Sequence, residues 1–226
     1  VDGSIATGAA VSVMLIRAGV SPIATLPIAF LAGALAGMVT GLLNTALGIP
    51  GILASILTQI SLYSINLNIM GKANQPVSVD NYPLVVSLRY VTDGSVSRLL
   101  FFLGMIVFLL ALIAVMYWYF GTEQGHAIRA TGCNSNMARA QGINTNFIKV
   151  LALMISNGLV GLCGALYGQF QGASDVNMGR GAIVIGLAAV IIGEVLFGKF
   201  ASKRKLAFAF TLASVILGAV IYYMVY

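Results

Sequence analysis

The feature that most constrains this chain is a succession of apolar stretches, each near the roughly 20 residues an α-helix needs to cross the hydrocarbon core of a bilayer. Charge is correspondingly scarce. Of 226 residues, 59% are hydrophobic and only 8% charged, against roughly 25% charged in soluble domains. Barrel strands would alternate in polarity over about 10 residues, and these runs do not. The expected fold class is therefore all-α, a polytopic transmembrane helical bundle forming one domain over residues 1–226.

Seven spans are expected, over residues 4–16, 22–43, 51–70, 99–120, 150–170, 181–197 and 206–226. Two long polar segments separate them, 71–97 and 121–149. Gly33, Gly37 and Gly41 in the second span, and Gly164, Gly168 and Gly172 around the fifth, fall four apart. Such stripes let helix backbones approach closely, and packing is the role expected of them. Their recurrence hints at an inverted internal repeat. The chain opens on Val1-Asp2-Gly3, without methionine or a basic flank, and upstream spans are expected beyond it.

Basic residues set the orientation. The 121–149 loop and the 199–205 connection share a side and carry Arg129, Arg139, Lys149, Lys199, Lys203, Arg204 and Lys205. The other side carries Arg17, Lys72, Arg89, Arg98 and Arg180, interleaved with Asp80, Asp93 and Asp175. The positive-inside rule makes the first side cytoplasmic and 71–97 extracytoplasmic. Because the bases sit in short loops between spans, the net charge of +6 reads as orientation, and nucleic-acid binding is not indicated.

The 121–149 loop is the most informative polar stretch. Thr122 can cap a short helix through Ala127, Ile128 and Arg129, and Asn134 or Ser135 a second through Met137, Ala138 and Arg139. Gly142 then stops the second helix in a left-handed conformation. Two capped helices make a shaped surface for a partner.

Enzymatic chemistry finds little support. His126 is the single histidine, no Lys-Ser/Thr glycine loop occurs, and Cys133 and Cys163 are the only cysteines. Nucleophilic triads, nucleotide hydrolysis, a metal site and a disulfide framework are not indicated. Polar groups at membrane depth remain, and they tend to face a cavity or a partner helix. Asn44, Gln59, Ser61, Asn66, Gln169 and Gln171 are the candidates for a solute pathway. Glu194 is read as the one carboxylate inside a span; near a basic membrane edge it can snorkel or pair with Lys199 or Lys203, the favoured reading, while a proton relay there would make the chain a proton-coupled secondary transporter. Asp175 and Arg180 are read as a solvated turn.

Three stretches resemble one family. Asp2-Gly3-Ser4-Ile5-Ala6-Thr7-Gly8 is similar to its early Asp-Leu-Ser-Val-Gly segment, with Gly3 and Ala6 departing from it. Residues 125–144 resemble its cytoplasmic docking segment, with Asn136-Met137-Ala138 ahead of Gly142 where importers often carry Glu-Ala-Ala. The third stretch is 158–166, together with 188–193. The chain thus looks like a permease subunit of ATP-binding-cassette importers for branched-chain amino acids and simple sugars. The resemblance implies about ten spans per whole subunit and a multi-pass place in a bacterial-type plasma membrane, in contact with lipid. It also implies a second permease copy, most simply a homodimer, an ATPase subunit holding ATP and Mg, and an extracytoplasmic solute-binding protein. No cofactor would be held by this chain itself. The coupling residues implied are Thr122, Glu123, Arg129, Asn134, Ala138, Arg139 and Gly142. Residues 64–71 look like the subgroup for amino-acid uptake, with aromatic or other hydrophobic amino acids favoured.

Overall fold

The computed structural model describes residues 2–77, 84, 86, 95–201 and 207–225. Most of the expected 71–97 loop, with Asp80, Arg89 and Asp93, lies outside the described residues, as do Lys203, Arg204 and Lys205. The elements run α1 (Asp2–Arg17), α2 (Pro22–Thr45), α3 (Gly51–Met70), β1 (Asn74–Pro76), α4 (Ser95–Phe120), α5 (Glu123–Cys133), α6 (Ser135–Ala140), α7 (Thr145–Gln171), β2 (Ala173–Asp175), α8 (Ala182–Ala201) and α9 (Ala207–Val225). Local chemistry sets several of these ends. Pro22 opens α2 at its first position and Pro50 precedes α3, where a missing N–H costs nothing.

Among the described residues, four helices are long and apolar enough to cross a membrane: α2, α3, α4 over Phe102–Phe120, and α7. In α8 and α9 the apolar part is shorter, over Ala182–Leu196 and Thr211–Val225. The expected first span is different in kind. The surface of its helix, α1, is interior. Ala6, Ala9, Ala10, Val13 and Ile16 are at most 1% exposed.

The chain divides into two compact units, residues 1–101 with 127–180, and 102–126 with 181–226. In the first unit α1 is the hub, packed on α2, α3 and α7. Its small side chains allow that density, because backbones can close on it from several sides. Ser4 pairs with Asn157 and Ser12 with Gln169, so α1 and α7 run parallel. Against α7, α2 runs antiparallel: a Cβ on Gly33 would fall on the Asn157 carbonyl, on Gly37 on that of Leu153, and on Gly41 2.9 Å from the Val150 Cα. The predicted stripe of α2 is therefore a backbone-to-backbone seam. On α7, Gly164 and Gly168 face α1 at Ile5 and Ala9. Gly172 does not join them; it ends α7 at φ +66°.

An antiparallel ribbon departs from the all-α expectation, pairing Asn74 with Asp175, Gln75 with Ser174 and Pro76 with Ala173. It stands where α3 and α7 finish, and Arg17 at the end of α1 donates to Gln75 there. The start of α7 lies at the opposite end of a helix of 27 residues, about 40 Å away. In the second unit α8 and α9 cross antiparallel through another glycine contact. Gly193 closes on Ser214 and Gly218 on Ala189.

Candidate functional site

Two features of the first unit position chemistry, a stiff corner at the start of α7 and a cavity beside the start of α1. The corner is built from caps. Asn134 is extended and its side chain accepts from the N–H groups of Asn136 and Met137, both at 3.1 Å, satisfying two orphan donors of α6. At the other end Gly142 has φ +84°. The Gly142 N–H donates to the Arg139 carbonyl at 3.0 Å and the Ile143 N–H to that of Ala138 at 3.1 Å, the paired bonds of a Schellman motif. Two residues later the Asn144 side chain accepts from the Phe147 N–H at 3.2 Å and opens α7. Arg139 bridges both helices by donating to Thr145 Oγ1 at 3.2 Å. Caps and turn bonds thus hold both ends of α6 and the start of α7.

The predicted coupling residues divide accordingly. Asn134, Ala138, Arg139 and Gly142 build the corner, with Ala138 buried and Arg139 exposed. Beside them Met137 is 60% and Phe147 59% exposed, an apolar pair outside the fold's interior. Arg129 lies exposed on α5. Thr122 and Glu123 belong to the second unit. There Thr122 Oγ1 accepts from the Gly125 N–H at 3.4 Å, and α5 runs on to Cys133, one turn beyond the expected end.

The cavity measures about 400 Å³, within the range of small-molecule sites. Its walls come from three parts of the first unit: Asp2 and Gly3 of α1, residues 56–66 of α3, and the non-helical segment 176–180 after β2. Segment 176–180 returns from the ribbon to the start of α1, where a Cβ on Gly179 would fall on the Asp2 carbonyl. That point is deep. Ser4 bonds Asn157, about 18 Å along the ~40 Å of α7, so the cavity sits near mid-span. Irregular backbone persists at such depth only within protein or beside water.

Of the predicted pathway residues the cavity gathers two, Gln59 and Asn66. Asn66 is fully buried; its amide nitrogen donates to the Gly3 carbonyl at 3.5 Å, and its Oδ1 has no partner. Asp2 Oδ1 is buried and unpartnered as well. The other four pathway candidates lie elsewhere. Asn44 donates to the Ile49 carbonyl at 2.9 Å and braces the turn between α2 and α3. Ser61 donates back to the Leu57 carbonyl at 2.9 Å. Gln171 donates to Tyr167 Oη at 2.7 Å at the end of α7. Gln169 is 1% exposed, and its Nε2 reaches Ser12 Oγ at 3.1 Å, Thr25 Oγ1 at 3.2 Å and the Pro22 carbonyl at 3.3 Å. It ties α1, α2 and α7 together.

Sequence reasoning missed Asp2, Tyr63, Asn177 and Arg180 as cavity residues. Arg180 is exposed, as a solvated turn would have it, and it also lines the cavity. An arginine directly abutting an apolar run was the available signal.

No solved structure matches the chain. Over 199 residues it is 40% identical to a protein of Clostridioides difficile (strain R20291) named "Tyrosine transport system permease protein", covering 88% of this chain and 64% of that protein. An uncharacterized protein of Rickettsia prowazekii (strain Madrid E) is 34% identical over 87% of this chain and 66% of its own length. The "Autoinducer 2 import system permease protein LsrC" of Yersinia pseudotuberculosis (serotype O:3, strain YPIII) is 30% identical over 85% of this chain and 53% of its own. The chain thus spans about two-thirds of the first two relatives and about half of the third. The profile described as "Branched-chain amino acid transport system / permease component" matches residues 1–226, and this integral membrane chain belongs to that family of ABC-type permeases.

Proposed function

We propose that the chain is the solute-conducting part of an importer permease, driven by a partner ATPase seated on residues 122–142 and supplied by an extracytoplasmic binding protein. The observation that carries this reading is the unbroken path from the corner to the cavity. Helix α7 starts at the capped corner, meets α1 through Ser4 and Asn157 at 2.7 Å, and α1 begins at Asp2 and Gly3 in the cavity wall. A push on the corner would move α7 and α1 as one body, because glycine seams leave no slack between their backbones. Exposed Met137 and Phe147 suit an apolar groove of the ATPase. The solute class favoured is an amino acid with an aromatic or hydrophobic side chain, in keeping with the name of the Clostridioides difficile relative. The working assembly is taken as two permease copies with two ATPases, the corner lying in the cytoplasm.

The test is uptake into proteoliposomes holding the full-length permease, its co-encoded ATPase and its binding protein. Uptake of labelled L-tyrosine should require ATP inside the compartment that the corner faces. Uptake by the permease alone, driven by a pH gradient, would overturn the reading.

A further inference from the structure

We infer that residues 177–180 form a lid beside the mid-span cavity, hinged at Gly181 and able to close from α1 onto α3. This rests on the permease reading and names the element that would seal its path. Three observations carry it. The first is that the segment holds its own backbone. Asp175 Oδ1 accepts from the Asn177 N–H at 2.7 Å, the Asp175 carbonyl from the Met178 N–H at 3.1 Å and the Asn177 carbonyl from the Arg180 N–H at 2.9 Å. At membrane depth a peptide group without a partner is costly. None of these bonds runs to α1 or α3, so the segment can leave its seat without stranding a peptide group there. The second is its attachment. Before it, the Val176 N–H donates to the Ala73 carbonyl at 3.0 Å and Val176 packs with Ala10 and Met70, a fixed end. After it, Gly181 stands at φ +85° with nothing within 4 Å of where a Cβ would be, a conformation that glycine enters and leaves at little cost.

Between these ends Gly179 rests on the Asp2 carbonyl, where a Cβ would fall. That seat is backbone against backbone without a hydrogen bond, so it is held by dispersion. The third observation is what faces the segment. Asn177 and Arg180 are exposed on it, and Gln59, Tyr63 and Ser64 are exposed on α3. All five line the cavity, and none of their side chains has a polar partner among the described residues. Arg180 is rich in donors, and each of the three α3 side chains can accept. While water fills the space between the walls these groups are solvated. Once that water is expelled around a solute they need partners, and closure of the lid onto α3 supplies them.

The experiment uses the complete importer in nanodiscs, with C133S and C163S throughout and one new cysteine at a time. N177C reports on the lid and S64C on the wall it would meet. S61C, exposed on α3 outside the cavity, is the reference. Reaction with a water-soluble maleimide is timed without nucleotide and after trapping with ATP and vanadate. In one state relative to the other, N177C and S64C should slow together by about tenfold, as a lid closed about nine-tenths of the time requires, while S61C stays unchanged. Gly181→Val, which resists positive φ, should erase that difference together with ATP-driven uptake, and Gly181→Asn should restore both. If Gly181→Val does not assemble, the unaltered hinge decides alone: equal rates in both states, or a change that S61C shares, would sink the lid. Uptake into proteoliposomes run in parallel separates the two claims. Wild-type uptake with ATP but unchanging cysteine rates removes the lid and leaves the permease reading, whereas loss of ATP-driven uptake in the wild type removes the permease reading itself.

Discussion

Ser4 Oγ donates to Asn157 Oδ1 at 2.7 Å across 153 positions of sequence, and this bond fixes the register of α1 against α7. The Asn157 amide nitrogen donates to the Leu153 carbonyl at 3.0 Å, so its oxygen faces α1 in one orientation. Along the same seam a Cβ on Gly8 would fall on the Gly161 carbonyl. The pair is a register pin between the helix that leaves the corner and the helix that reaches the cavity.

Breaking that pin should be felt as stability first. Ser4→Ala leaves the Asn157 oxygen half-buried without its donor, at a cost of about 1–2 kcal/mol. Ser4→Ala combined with Asn157→Leu should recover part of it, because neither partner is then left unsatisfied. Thermal unfolding of the purified permease in detergent reads both. Strict additivity of the two single changes would show that the bond does not couple the helices.

At the corner, Gly142→Val puts a β-branched side chain at φ +84°, where nothing crowds the position sterically. The penalty is therefore backbone strain, about 1–3 kcal/mol, and Gly142→Asn should restore most of the loss because asparagine tolerates that region. Uptake should fall in the valine variant while solute binding to the extracytoplasmic partner is untouched. Wild-type uptake in Gly142→Val would remove the corner from the coupling path.

The α2 seam makes a harsher prediction. A methyl group at Gly37 would meet the Leu153 carbonyl and lie 2.9 Å from the Met154 Cα, and neither backbone can rotate away. Gly37→Ala should cost about 1–3 kcal/mol through overpacking, and Gly37→Leu should abolish assembly. By contrast Gly104→Ala, which meets nothing within 4 Å, should be neutral or slightly stabilising. Expression and size-exclusion profiles of the three variants compare these outcomes directly.

What the sequence made legible was local. The caps at Thr122 and Asn134 and the stop at Gly142 depend on neighbours within a few positions, and each sits where chemistry places it. The glycine stripe of α2 was readable as a seam because its spacing is intrinsic to one helix. The hub role of α1 was not readable, since its burial depends on α7, some 150 residues away. Gln169 was misleading for the same reason: a glutamine in an apolar run suits a pathway or a buried tie, and only Ser12, Thr25 and Pro22 decide between them. Asp2 reads as a chain opening until the return of segment 176–180 encloses it.

That enclosure changes the question put to Glu194. The sequence offered it as the one carboxylate inside a span, but Asp2 is a second acidic group at membrane depth, on a cavity wall. Glu194 stands exposed on α8, with no polar partner among the described residues. A proton-coupled carrier needs a titratable group that exchanges access between the two sides, whereas in the ATP-driven permease proposed above energy would enter through the corner. Glu194→Gln keeps the size and most hydrogen bonding of the side chain while deleting the charge. It should retain at least roughly half of wild-type uptake, because a single exposed carboxylate is dispensable when no proton is moved. A proton uncoupler should leave uptake by ATP-loaded proteoliposomes unchanged, and withdrawal of ATP should stop it. Abolished uptake in Glu194→Gln, together with sensitivity to the uncoupler, would instead place the driving force on that carboxylate.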